Sequence, residues 1–363
     1  MSNYLNITCP ICNTGIDFKE TDEKILCPRC QKEIGKQGAL TMIAGRCEKE
    51  DKVAWETPVS TWQPGEAEGL RIFSCQACGA RVLADESSEA VKCPHCSVDM
   101  VMDEQVPEGI KPDVVIPFKI AKNDAIAALN KHYKGKRLLP KVFRDQNYVK
   151  QITPVFIPMW LFDGEGPVAG GYSYCKEKSW SDEDYEYRET SYYAAFREGT
   201  IAIENTPISG SSRMDDRFEK ALWPYHFADA VSVEKGCLSG CLTAVCDVQV
   251  DACIPEAEEK ITGKLKDMLR GTVDGVNGTE LGCNFDLKGR GRLALVPVWI
   301  LNTRWNGQIF TFMMNGQTGE FIGDLPMDKA AYWKWMIGSG LGAAAAAVGV
   351  SALIWQLVLL TLR

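Results

Sequence analysis

The longest regular pattern of apolar positions in the sequence lies near its C terminus. No charged side chain occurs there over twenty-eight consecutive positions, whereas a helix needs about twenty apolar residues to cross the hydrocarbon core of a bilayer. Trp333 and Trp335 lie at the near boundary with Lys329 and Lys334, and such residues are typical of a membrane interface. The pattern predicts one transmembrane helix over residues 334–362. The alternative is a core helix buried against a large partner surface.

A second apolar pattern occurs twice in the middle of the chain. FIPMWLFD at 156–163 matches LVPVWILN at 295–302 as two apolar residues, proline, an apolar residue, tryptophan, two apolar residues and a short polar residue. Each copy follows a helical candidate, at 122–135 for the first and 255–271 for the second. The pattern predicts one α+β unit built twice, a pseudo-duplicated domain over residues 109–328.

Local signals predict how the elements of this domain begin and end. Asn123 or Asp124 can cap the first helix, and Pro255 suits the first turn of the second. After the second copy, Asn306-Gly307 and Asn315-Gly316 predict tight turns, and therefore a three-stranded antiparallel meander.

Eight of the fifteen cysteines lie in two matching frames near the N terminus. Each frame has two Cys-x2-Cys knuckles separated by fourteen residues, and the second frame follows the first by sixty-six positions. A knuckle turn aims two thiolates at one point and a hairpin returns the second pair, which suits the tetrahedral preference of zinc. We predict two four-cysteine zinc sites in tandem zinc ribbons, the first formed by Cys9, Cys12, Cys27 and Cys30 and the second by Cys75, Cys78, Cys93 and Cys96.

Four protein ligands leave no open position for a catalytic water, so both zinc sites are expected to be structural. Metal binding, worth about 10–16 kcal/mol at a structural zinc site, is expected to fold each short ribbon. The alternative, eight cysteines acting as small buried hydrophobes, does not account for four knuckles in two equal frames. His95 lies inside the last knuckle, and we expect it to be a bystander rather than a ligand because the quartet is complete without it.

These patterns predict an α+β chain with two tandem four-cysteine zinc ribbons, a pseudo-duplicated domain with an antiparallel sheet, and one C-terminal transmembrane helix. The expected division is zinc ribbon 1 at 1–45, a linker at 46–69, zinc ribbon 2 at 70–108, the α+β domain at 109–328 and the helix at 334–362.

Charge separates two functions that zinc ribbons can serve. Residues 1–110 hold eleven Lys or Arg against eighteen Asp or Glu, a net charge of −7, and each zinc with four thiolates adds a formal −2. Nucleic-acid affinity depends on cations that replace counterions on phosphates, and only Arg29 is a fixed cation at the knuckle tips. The balance disfavours nucleic acid, so a membrane-tethered nucleic-acid-binding zinc-ribbon factor is the alternative function.

The same residues indicate a compartment. The opening MSNYLNITCP has neither a basic nor an apolar region of a signal peptide, and knuckle-spaced cysteines without one favour metal binding in a reducing compartment. Lys329 and Lys334 lie on the same side of the span, as the positive-inside rule requires. We expect a single-pass protein of the cell membrane with its N-terminal bulk in the cytoplasm.

Small residues recur at every fourth position within the span, at Gly338, Gly342 and Ala346. Such a stripe lets a second helix approach closely in lipid, whether from another copy or another protein. The alternative is that glycine and alanine are simply frequent in membrane helices.

The central domain shows no catalytic motif. It has two histidines, His132 and His226, no glycine-rich phosphate loop with a lysine and no nucleophile motif, so we expect no enzyme activity. The alternating run from Tyr185 to Ser191 fits a solvated strand better than a binding platform. Four further cysteines lack knuckle spacing and are expected to be packed hydrophobes rather than a third metal site; they are Cys237, Cys241, Cys246 and Cys253.

Several stretches carry a family resemblance, among them FSCQACGARVLADESSEAVKCPHC, PVFIPMWLFD and LVPVWILNTRWNGQIFTFMMNGQTGEFIGDLP. From about residue 70 onward the chain resembles the bacterial zinc-ribbon membrane proteins labelled TFIIB-type zinc-ribbon-containing proteins, some of which carry a label as a primosomal helicase. The resemblance implies no established catalytic activity and a membrane partner that recruits phage-shock (ESCRT-III-like) or SPFH proteins. The chain departs from the family at GCLSGCLTAVCDVQV, where cysteines replace aromatic residues.

Together these arguments predict a non-enzymatic, single-pass membrane adaptor whose cytoplasmic zinc ribbons bind and recruit other proteins. In this hypothesis the ribbons are rigid docking elements, and the candidates for contacts at their tips are Arg29, Gln76 and His95.

Overall fold

A computed structural model describes residues 4–361 apart from residues 10, 13, 20–23, 36–37, 39–40, 42–43, 46, 48–50, 64, 89–90, 104–109, 215–216, 218–220 and 274–275. The described part is a mixed α+β structure with two four-cysteine clusters and one long apolar helix at its C-terminal end. The predicted fold class is therefore confirmed.

The structure has sixteen strands in its described residues. They are β1 (Tyr4–Thr8), β2 (Gly15–Lys19), β3 (Lys24–Leu26), β4 (Glu33–Gly35), β5 (Lys52–Glu56), β6 (Leu70–Ser74), β7 (Arg81–Asp85), β8 (Val101–Met102), β9 (Val114–Val115), β10 (Thr153–Ser181), β11 (Glu186–Ser209), β12 (Val231–Ser232), β13 (Leu242–Ala244), β14 (Val276–Trp305), β15 (Gln308–Asn315) and β16 (Phe321–Gly323).

The helices of the described residues are fewer and less even in length. They are α1 (Lys122–Tyr133), α2 (Gln146–Val149), α3 (Lys235–Leu238), α4 (Val250–Gly271) and α5 (Lys329–Thr361), with short 3-10 turns at Lys141–Arg144 and Phe227–Asp229.

The two Pro-x-Trp segments are neighbours at the centre of the main sheet. They lie in β10 and β14, which pair antiparallel along most of their length. Ile157 and Val296 occupy the same position in the two copies, and they lie directly opposite each other. A local two-fold axis therefore passes through this pair and relates the two copies.

Each copy packs its short strand on the long strand of the other copy. β9 of the first copy runs parallel to β14, and β13 of the second runs parallel to β10. Val115 lies opposite Leu295 and Thr243 lies opposite Phe156, so Val115 and Thr243 are equivalent positions. The two copies are therefore intertwined and do not form two separate consecutive units.

The tryptophan of each copy donates a hydrogen bond to the other copy. Trp160 Nε1 donates to the carbonyl oxygen of Val248 at 2.9 Å, just before α4. Trp299 Nε1 donates to the carbonyl oxygen of Ile120 at 3.0 Å, just before α1. Each copy's tryptophan thus fixes the start of the other copy's helix, which explains why both copies carry tryptophan there.

The starts of both helices differ from the predictions. Ala121, not Asn123 or Asp124, is the N-cap of α1, and no side chain caps that end. Helix α4 begins at Val250, so Pro255 lies inside the helix rather than in its first turn. Val250 and Cys253 are both buried against the sheet, and their burial stabilises a helical turn that local signals did not indicate.

The predicted meander is confirmed as β14, β15 and β16. Asn306 and Gly307 both have positive φ, as a two-residue hairpin turn requires. The second connection is longer than a tight Asn315-Gly316 turn, because Asn315 pairs through its backbone with Glu320 and the left-handed residue is Gly319.

The two N-terminal modules are attached differently. In the described residues, the first forms two separate hairpins, β1 with β2 and β3 with β4. The second adds its strands to the main sheet, which continues from β13 through β7 and β6 to β8. The second module is therefore structurally continuous with the duplicated domain.

Helix α5 projects from the domain, and none of its side chains is buried over residues 329–355, where burial is described. The Asp328 carboxylate caps its start by accepting hydrogen bonds from the backbone N–H groups of Ala330 and Ala331. The helix begins five residues before the predicted boundary at 334, and residue 362 of the predicted span lies outside the described residues.

Candidate metal centres

Each predicted cysteine quartet converges on one point. In both quartets the four sulfur atoms lie within 4.8 Å of one another. In the first, Cys9 and Cys30 are 3.6 Å apart, and Cys12 and Cys27 are 3.5 Å apart. In the second, the corresponding distances are 3.4 Å for Cys75 with Cys96 and 3.5 Å for Cys78 with Cys93. A tetrahedral zinc with sulfur at about 2.3 Å needs sulfur atoms about 3.8 Å apart, so both quartets fit zinc.

The knuckles have the same backbone geometry wherever it is described. In ribbon 2, Gly79 follows the second cysteine of one knuckle with a φ of 72°, and Ser97 follows that of the other with a φ of 60°. In ribbon 1, Gln31 has a φ of 57° at the matching position. This left-handed residue returns its backbone N–H to the first cysteine's carbonyl oxygen, at 2.8 Å for Gly79 and 2.9 Å for Ser97. The turn thereby brings both thiols of a knuckle to one side.

Hydrogen bonds favour the thiolate form of both cysteines in the first knuckle of ribbon 1. The Thr14 hydroxyl lies 3.4 Å from Cys12 Sγ, and together with the Thr14 backbone N–H it lowers the Cys12 pKa to about 6. The backbone N–H groups of Ile11 and Cys12 lower the pKa of Cys9. Thiolates are the form that binds zinc.

Burial opposes these hydrogen bonds in both quartets and dominates at two cysteines of the second. It raises the pKa of Cys93 and Cys96, and four thiolates this close together would also repel one another in a partly dry site. For Cys75, burial opposes the backbone N–H groups of Cys78 and Ala77, and its pKa falls to about 7. Four thiolates can occupy so small a site together when a cation such as zinc neutralises part of their charge.

The second quartet is tied directly to the central strands. Asn302 Nδ2 of β14 donates at 2.6 Å to the carbonyl oxygen of Pro94, inside the last knuckle. His95 is half-buried and faces Arg213 and Asp247, and the quartet is complete without it. Of the other residues proposed for contacts, Arg29 and Gln76 are exposed.

The remaining cysteines do not form a third cluster in the described residues. Cys237 and Cys241 pack beside one hydrophobic cluster, while Cys246 and Cys253 belong to another. Burial raises the pKa of Cys241 and of Cys246 to about 11. These four side chains lie in or beside hydrophobic clusters, and their role as packed hydrophobes stays a prediction.

A basic surface next to α5 was missed in the sequence. Residues 131–150 contain seven Lys or Arg and one Asp, in a chain whose formal net charge is −8. Most of these cations are exposed, and the backbone N–H of Asp328, which caps α5, donates to Leu138 within the same segment. A count of charges in a sliding window would have found the segment, but only the fold places it beside the helix.

The fold and these sites define an α+β protein with two four-cysteine clusters consistent with zinc ribbons and one helix long and apolar enough to cross a membrane. The chain is similar to uncharacterized protein YdjG of Bacillus subtilis (strain 168), with 26% identity over 240 residues, or 66% of this chain and 70% of that protein. No family model matches the chain, and no solved structure matches it.

Proposed function

We propose that the chain is a non-enzymatic membrane adaptor that crosses the cell membrane once through α5. Its N-terminal bulk lies in the cytoplasm, where it binds other proteins and recruits them to the membrane. The observation that carries this proposal is the basic surface beside the start of α5. Clusters of four to eight Lys or Arg next to a membrane span bind the anionic inner leaflet, each worth about 1 kcal/mol near the surface.

The metal centres support a structural rather than a catalytic role. Each set of four cysteines fills the four positions of a tetrahedral zinc, so no position is left for water or substrate. The exposed tips at Arg29 and Gln76 are accessible to a partner. Zinc in this proposal maintains the shape of a docking surface.

The partners we propose are proteins, through the ribbons and through the span. We further propose that the chain belongs with the bacterial TFIIB-type zinc-ribbon membrane proteins, and that its partners are phage-shock or SPFH proteins. Gly338, Gly342 and Ala346 lie four residues apart on α5 and are exposed. They provide a face on which a second membrane helix can pack closely.

The proposal is tested by affinity purification of the full chain from detergent-solubilised membranes. We compare the native protein with the double substitution Cys75→Ser and Cys78→Ser, which dismantles one quartet. Cys237→Ser with Cys241→Ser is the matched control, because it removes two thiols outside the quartets. Loss of a protein partner only from the quartet variant supports binding that requires an intact ribbon 2 and the sheet that this ribbon stabilises. Retention of every partner in that variant contradicts it, and recovery of mainly nucleic acid would favour the tethered nucleic-acid factor.

Orientation has its own test. A reporter that is active only outside the cytoplasm is fused after Arg363 in one fusion protein and before Met1 in the other. Activity of the C-terminal fusion alone supports the proposed topology, and the reverse pattern refutes it.

A further inference from the structure

The two copies of the duplicated unit differ at one position that controls a cavity. Phe118 lies three residues after Val115, and Cys246 lies three residues after the equivalent Thr243. Phe118 packs against Phe156 and Trp299, with ring centroids 5.2 and 5.1 Å apart. In the second copy Cys246 replaces this ring.

The surroundings of the ring are kept in both copies. The Gly316 N–H donates to the Pro297 carbonyl oxygen at 2.8 Å, and the Gly210 N–H donates to the Pro158 carbonyl oxygen at 3.0 Å. A Cβ atom at Gly316 would lie 2.5 Å from the Phe118 ring, so only glycine leaves room for that ring. Gly210 keeps the same bare face, although its neighbour is the small Cys246 Sγ at 3.2 Å.

The space that a phenyl ring would fill is open in the second copy. A cavity of about 240 Å³ lies there, and Pro158, Thr243, Cys246 and Leu295 are among its lining residues. A cavity of about 150 Å³ with aliphatic walls already accepts benzene. The cavity is thus large enough for one aromatic ring with a short substituent, and it is below the size typical of drug-sized ligands.

One cationic side chain on the wall indicates the chemical class of the ligand. Thr243 lines the cavity, but its hydroxyl oxygen is buried out of reach of a group placed there. Arg81 also lines the cavity, is exposed, and forms no ion pair among the described residues. A carboxylate in the cavity would pair with this guanidinium through charge-assisted hydrogen bonds.

We propose that this cavity binds a small monocyclic aromatic carboxylate. The ring takes the place that Phe118 occupies in the first copy, and the carboxylate accepts hydrogen bonds from the Arg81 guanidinium. The site does not depend on the adaptor function, and it lies where ribbon 2 joins the central sheet through β7 and β13. A ligand bound there contacts both parts.

The test uses the full zinc-loaded chain in lipid nanodiscs with 4-fluorophenylacetate as the probe, followed by fluorine NMR. Native protein is expected to show saturable binding that empty nanodiscs lack. Cys246→Phe restores the ring of the first copy and should abolish binding, whereas Cys246→Ala leaves the cavity open and should retain it. Unchanged affinity in Cys246→Phe, or no saturable binding at millimolar probe, overturns the proposal.

A second arm does not depend on how the Phe variant folds. Arg81→Met should weaken 4-fluorophenylacetate by about tenfold, as expected for loss of a charge-assisted hydrogen bond, and should leave neutral 4-fluorobenzyl alcohol unchanged. Lys92→Met removes an exposed cation from the same ribbon and is the matched control. An equal effect of Arg81→Met on both probes, or an equal loss of acid binding in Lys92→Met, would refute the carboxylate assignment.

Discussion

Loss of zinc from ribbon 2 should destabilise the central sheet, and loss of zinc from ribbon 1 should not. The perturbations are Cys75→Ser with Cys78→Ser in ribbon 2 and Cys9→Ser with Cys12→Ser in ribbon 1. Both pairs remove one knuckle and its metal. They differ in attachment, because β7 of ribbon 2 pairs with β13 of the main sheet, while ribbon 1 forms separate hairpins.

The size of the effect follows from the side chains shared across the junction. Leu70, Ile72 and Leu83 of ribbon 2 are buried in one cluster with Phe156 and Leu295 of the central strands. Exposing one such side chain costs about 1.5–3 kcal/mol, so the three together contribute roughly 5–9 kcal/mol. A domain is stable by only about 5–15 kcal/mol in all, so this loss is a large fraction of the total.

Ribbon 1 shares fewer buried side chains with the rest of the chain in the residues that the structure describes. The residues outside it that pack against its buried cluster, Phe196 and Leu281, are only partly buried. Its loss should therefore change the free energy of unfolding of the central sheet by less than about 3 kcal/mol.

Hydrogen exchange of the β10 and β14 amides, with zinc content measured in parallel, distinguishes the two variants. Since 1.4 kcal/mol corresponds to a factor of ten, the ribbon 2 variant should speed exchange of the slowest amides by about a thousandfold or more. Equal exchange in the two variants, or native-like protection in the ribbon 2 variant after its zinc is lost, would show that the shared cluster does not couple the modules.

Three further predictions test the tryptophans, the knuckles and the basic surface. Trp160→Phe and Trp299→Phe should each lower the free energy of unfolding by about 1–3 kcal/mol, because each removes an indole hydrogen bond. Trp305→Phe removes no described indole hydrogen bond and should cost less. Equal losses for all three variants in chemical denaturation would show that the two hydrogen bonds do not stabilise the helix starts. Gly79 and Ser97 both have a positive φ, which glycine adopts more easily than other residues. Gly79→Ala should therefore destabilise the zinc-loaded protein by about 1 kcal/mol, and Ser97→Gly should stabilise it by a similar amount. Thermal unfolding with the opposite signs would refute this reasoning. In nanodiscs, anionic lipid should attract the cations of residues 131–150 and slow their hydrogen exchange relative to neutral lipid, and salt should reverse this effect by screening the charges. Equal exchange rates in the two lipids would show that the basic surface does not contact the membrane.

Short-range patterns explain why the metal centres were predictable. A knuckle is closed by residues within five positions, and its cysteine spacing alone determines where two sulfurs point. The apolar C-terminal helix is equally local, because length and hydropathy define it. The repeat was visible because proline and tryptophan are distinctive residues at matching positions.

Long-range contacts explain what the sequence did not predict. The Trp160 indole donates a hydrogen bond to a residue 88 positions away, and the Trp299 indole to one 179 positions away. Contacts between one copy's tryptophan and the other copy's helix therefore leave no local signal in the sequence. The early start of α4 depends on burial of Val250 and Cys253 against the sheet, which overrides the local preference for Pro255 near a helix start. The strands β10 and β14 run through glycine-rich and charged stretches that lack the alternation of a half-buried strand.

The attachment of both N-terminal modules bears on which one can present a docking surface at a fixed angle to the membrane. Ribbon 2 is joined to the central strands twice, through β7 with β13 and through Asn302 with Pro94. The same strands lead through β16 to Asp328, whose backbone bond to Leu138 sets the start of α5. A partner bound at the tip of ribbon 2 would therefore be held in a defined orientation to the span. Ribbon 1, formed as separate hairpins in the described residues, has no such connection through the sheet, so the adaptor hypothesis assigns oriented recruitment to ribbon 2.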